Sequence, residues 1–90
     1  MITATEETKK QLRKIRGVAG SVQDVARYAI INGCLNQGAH IQFGRDLNTY
    51  NLWEALLYVN NYEQDGFYKK GTAQTALDSV LKFMADGDED

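Results

Sequence analysis

The stretch Asn51-Leu52-Trp53-Glu54-Ala55-Leu56-Leu57-Tyr58-Val59-Asn60-Asn61-Tyr62 decides the fold. Placed on a helix at about 100° per residue, Leu52, Ala55, Leu56 and Val59 share one face, and Trp53 and Leu57 widen it to roughly 200°. A surface helix carries a narrower stripe. A helix this apolar needs neighbours on more than one side, so the pattern predicts the central helix of a small core. Its start is marked by Asn51, whose side chain can accept from first-turn amides, and by Glu54 three residues later, a capping-box spacing. Its end fades into Asn60-Asn61 and the Asp65-Gly66 turn signal. Seven of the nine aromatic residues lie between Phe43 and Tyr68, with the single tryptophan in this helix.

Around that helix, 90 residues at 43% hydrophobic and 24% charged make one globular domain. A chain this short buries only about 60% of its unfolded surface, so self-association would help it. The single cysteine, Cys34, rules out an intrachain disulfide and suits a reducing, cytoplasmic compartment. No apolar run opens the chain, so no signal peptide is expected. No segment approaches the ~20 apolar residues that span a bilayer. Proline is absent, which suits helices.

Upstream, residues 3–16 predict a first helix. Thr3 or Thr5 can cap it, and Glu6 and Glu7 suit its positive end. Leu12, Ile15 and Ala19 form a thin seam. Lys9, Arg13 and Arg16 fall opposite, flanked by Lys10 and Lys14. Gly17 and Gly20 break the pattern at about 1 kcal/mol each, and Ser21 offers a new cap; one long helix is the alternative. A second helix is predicted over Val22–Asn32 on a face of Val22, Val25, Ala26, Ala29 and Ile30. Tyr28 and Ile31 fall outside that face and suggest a second contact surface. Residues 33–48, with Gly33, Gly38 and Gly44, read as an irregular segment. The alternation His40-Ile41-Gln42-Phe43 allows a short strand at 39–43.

Downstream, Gln64–Gly71 is a connection with Phe67 and Tyr68 tucked back and Lys69 and Lys70 exposed. Thr72 is placed to cap a last helix over Ala73–Ala85. Its apolar side is Ala73, Ala76, Leu77, Val80, Leu81, Phe83 and Met84. Residues 86–90 read as a solvated, disordered acidic tail beyond a single helical domain of residues 1–85. The predicted fold is therefore mainly α, a compact four-helix domain with a glycine-rich irregular segment; the alternative is α+β.

The motif content excludes several chemistries. One histidine and one cysteine give no two-histidine or Cys-x-x-Cys metal spacing. Walker, Gly-x-Gly-x-x-Gly and Gly-x-Ser-x-Gly patterns are missing. Cys34 with His40 has no partner that fixes its geometry. Asp86, Asp88 and Asp90 lack the following helix of an EF-hand. No enzyme activity, catalytic residue, cofactor or metal is expected.

Two function classes remain. The first is a small non-enzymatic interaction module, a regulator, inhibitor or adaptor acting on a larger protein. Its expected contact residues are Tyr58 and Tyr62, which project away from Leu52 and Leu56, with Arg45, Phe67 and Tyr68. Accessory proteins of phages and mobile elements share this character by analogy only. A homo-oligomer is compatible with it. The alternative is a nucleic-acid- or nucleotide-binding protein. Residues 9–16 hold five of the ten basic side chains, and Lys9, Lys10, Arg13, Lys14 and Arg16 could meet phosphates, with exposed aromatics stacking on bases. The net charge of −2 disfavours a dedicated nucleic-acid binder. Helix one lacks the apolar face that membrane binding needs.

Overall fold

Asn51 opens the central helix as its residue type demands. Its side chain accepts from the Glu54 N–H (2.9 Å), and Glu54 in turn accepts from the Asn51 side-chain amide. The computed structural model describes residues 2–16 and 20–87, without the side chains of residues 39–42, 46, 47 and 87. Among the described residues the chain forms α1 (Glu6–Arg13), α2 (Ser21–Asn32), α3 (Gln37–Thr49), α4 (Leu52–Glu63) and α5 (Thr72–Gly87). The fold is mainly α, as the periodicities require. No described helix is long and apolar enough to cross a membrane.

Leu52, Trp53, Ala55, Leu56 and Val59 of α4 are all buried. This wide apolar surface is met by α1, α3 and α5. The most extensive pairing is α2 on α5, where Ala26 and Ile30 are buried with Ala73, Ala76, Leu77 and Val80. The end of α2 meets the start of α5: an added Cβ at Gly33 would lie 2.2 Å from Thr72 Oγ1. The two helices therefore run antiparallel. Backbone bonds from Leu35 N–H to Phe67 O and from Lys69 N–H to Gly33 O, each 2.8 Å, tie the end of α2 to the segment before α5. They flank an isolated antiparallel bridge between Cys34 and Tyr68.

The structure corrects the helix count. Residues 37–49 are helical, so the irregular segment and the 39–43 strand give way to a fifth helix. Gly38 and Gly44 each weaken a helix by about 1 kcal/mol. Tertiary packing overrides that cost: Phe43 is buried and α3 lies along α4. Asn36 supplies a cap, its Oδ1 accepting from the Gly38 N–H at 2.8 Å.

Other ends also differ. Thr5 caps α1 as expected, accepting from the Thr8 N–H at 3.1 Å. The helix stops at Arg13, because residues 15 and 16 leave it to pair with α4. Ile15 O accepts from the Leu52 N–H at 2.9 Å, and Arg16 bridges Asn51. The interruption at 17–19 lies outside the described residues. Ser21 is the first residue of α2 and not its cap; Gly20, at φ 130°, holds that place without a side-chain bond. Thr72 does not cap α5 either. Its hydroxyl donates to Lys69 O at 2.6 Å, and Glu63 Oε1 accepts from the Ala73 N–H at 2.7 Å. Helix α5 continues to Gly87, so the predicted tail begins inside it, and residues 88–90 lie outside the described residues.

Candidate interaction surface

Helix α2 turns one face to α5 and leaves the other bare. Tyr28 and Ile31 follow at i and i+3 on α2, and Leu35 comes after them in the turn beyond its end. Tyr28 is 72% exposed, Leu35 59% and Ile31 42%. Below the stripe, a hollow of about 270 Å³ is lined by Ile31, Cys34, Leu35, Asn36 and Gln37. It forms where α2 ends and α3 begins. Leu35 is held outward there because its N–H is bonded to Phe67 O, which fixes the backbone of the turn. The rim has little net charge: Arg27 and Asp24 pair with each other at 3.0 Å. Cys34, half-buried, donates its thiol to Asn36 O at 2.8 Å.

The aromatic residues expected to form the surface sit elsewhere. Tyr58 is half-buried, its ring 4.9 Å from that of Tyr50. Tyr62 is half-buried and meets Phe67 edge-on at 5.7 Å. Tyr68 is only 2% exposed, because its bridge to Cys34 draws it under the end of α2. Of the predicted set, Arg45 alone is exposed. A wheel drawn on α4 placed the two tyrosines outward. It could not show that the segments before and after α4 would each lay an aromatic ring on them.

The basic residues divide in two. The Lys9 ammonium is held by Glu6 at 3.3 Å and lies 5.5 Å from the Trp53 ring centre, a cation–π contact that fixes it to α4. Lys10, Arg13, Lys14 and Arg16 are exposed. Helix α1 ends at Arg13, so Arg16 lies beyond the helix that carries Lys9 and Arg13.

A second cleft, about 330 Å³, is lined by Ile2, Asn60, Glu63, Gln64, Lys70, Gly71 and Gln74. Two of its polar groups serve the fold. Glu63 holds the Ala73 N–H, and Gln74 joins the Thr3 N–H (2.8 Å) to Asp78 (3.0 Å). Among the described residues no group of three histidine, cysteine or acidic side chains could hold a metal ion. The Cys34–His40 pairing rests on a side chain outside the described set. Compared with protein-family models, curated proteins and solved structures, the chain has no significant match.

Proposed function

We propose that this chain is a small non-enzymatic interaction module that docks on a larger protein through the outward face of α2. The observation that carries the reading is that Tyr28, Ile31 and Leu35 are, among the described residues, the most exposed of the large apolar side chains. Contiguous apolar surface on a small soluble domain marks a contact site more often than a structural need. The adjoining hollow has room for one large apolar side chain from the partner. Tyr28 is suited to the centre of such a contact, since a tyrosine covers much area and loses little freedom on ordering. Because Asp24 and Arg27 satisfy each other, the surface selects apolar chemistry over charge. A regulator, inhibitor or adaptor works by covering a partner in this way.

The test is affinity capture from the native host with the unaltered chain and with Tyr28→Ser/Leu35→Ser. A captured protein is then purified and its affinity measured against both. The reading expects at least tenfold weaker binding by the variant at unchanged melting temperature. Equal binding by both forms would sink it. So would a discrete dimer of the unaltered chain that the two substitutions dissociate.

A further inference from the structure

Four cations at the end of α1 are exposed. Among the described residues, the side chains of Lys10, Arg13, Lys14 and Arg16 make no ion pair or hydrogen bond. The chain has 12 acids against 10 bases, and among the described residues the ion pairs are those of Lys9 and Arg27. Lys10, Arg13 and the cap residue Lys14 stand at i, i+3 and i+4, Lys10 and Lys14 opposite the buried Leu12 and Arg13 on the flank between. Lys10 and Lys14 repel each other at this spacing. The helix dipole favours Lys10 and Arg13 in the last turn, but its effect fades within that turn. Arg16 lies two residues past the Lys14 cap, in backbone fixed by its bridge to Asn51. The Arg16 side chain is exposed like the other three.

We propose that this cluster binds the phosphate backbone of a nucleic acid. Unpaired arginines and lysines at close spacing neutralise successive phosphates and release their counterions. Arginine adds forked donors that fit a phosphate. The overall charge of −2 does not cancel the patch, since exposed charges farther than about 10 Å are screened at 0.1 M salt. A lipid surface fits less well, because the outward face of α1 carries no apolar side chain to insert. Contact of this kind is independent of base sequence. It stands apart from the α2 surface.

The probes are a labelled oligothymidylate and a labelled duplex of the same length, titrated by anisotropy over a range of salt. Three to four contacts predict roughly 100-fold weaker duplex binding for a fourfold rise in salt, with a shallower slope for the single strand. Changing Lys10, Arg13, Lys14 and Arg16 to glutamine should abolish this binding at unchanged melting temperature. Lys9→Gln should keep the slope, because Lys9 is already engaged with Glu6 and Trp53. Tyr28→Ser/Leu35→Ser should leave the titration unaltered, which separates this result from the fate of the α2 reading. The proposal is overturned by salt-insensitive or absent binding to both oligonucleotides, or by equal binding of the fourfold variant. Binding to polyglutamate or to phosphatidylserine vesicles in preference to either oligonucleotide would overturn it too.

Discussion

Gly33 and Thr72 are in contact so close that no side chain fits between them. A Cβ at Gly33 would lie 2.2 Å from Thr72 Oγ1 and 2.6 Å from Thr72 Cγ2. The glycine is not there for its backbone, whose φ of −95° any residue adopts. It is there to let the end of α2 meet the start of α5. Gly33→Ala should therefore destabilise by about 1–3 kcal/mol, the scale of overpacking. Thr72→Ala removes the two nearest atoms, so the same alanine should cost less in that background. Urea denaturation of the two single variants and the double variant measures the coupling.

Leu56 is fully buried at the centre of α4, with α1, α3 and α5 around that helix. Leu56→Ala should cost roughly 2–5 kcal/mol, transfer and cavity terms together. A loss below about 0.5 kcal/mol in denaturation would remove α4 from the centre of the fold.

Asn51 serves two elements at once. Its side chain caps α4, and its backbone pairs with Arg16. Asn51→Ala keeps the backbone pairing and loses the cap, so the expected cost is about 1 kcal/mol. Asn51→Asp retains the acceptor for the Glu54 N–H but sets a carboxylate beside Glu54. It should fall at or below the alanine variant, and a variant above the unaltered chain in melting temperature would contradict the geometry.

The outward stripe should be dispensable for folding. Tyr28→Ser and Leu35→Ser remove side chains that face solvent, so each should change stability by no more than about 0.5 kcal/mol. Tyr68→Ser, by contrast, empties a buried site and should cost several kcal/mol, on the scale of aromatic truncations in a core. Thermal melts of the three variants compare them directly.

Much of this was legible in the chain. The apolar periods of α2, α4 and α5 named most of the core, and the Asn51–Glu54 spacing marked the start of α4. Leu57 and Phe83, assigned to apolar faces, are nevertheless 36% and 38% exposed. Helix α3 was hidden because Gly38 and Gly44 carry a turn signal while the packing of Phe43 carries the decision, and packing is not local. The surface was half visible. Tyr28 and Ile31 fell off the α2 core face by period alone. Leu35 joined them only through the turn that Phe67 fixes. Tyr58 and Tyr62 are half-buried because the flanking segments bring Tyr50 and Phe67 onto them, and Tyr68 is buried beside Cys34, far from it in sequence.

If the Tyr28–Ile31–Leu35 stripe is a docking surface, another protein covers it in the cell. Hydroxyl-radical footprinting of the chain, alone and in an extract of its native host, tests it most directly. Tyr28, Ile31 and Leu35 should react readily in the isolated chain and become at least severalfold protected in the extract. Exposed Leu57 and Phe83 should keep their reactivity. Equal labelling of the stripe in both conditions would contradict the claim.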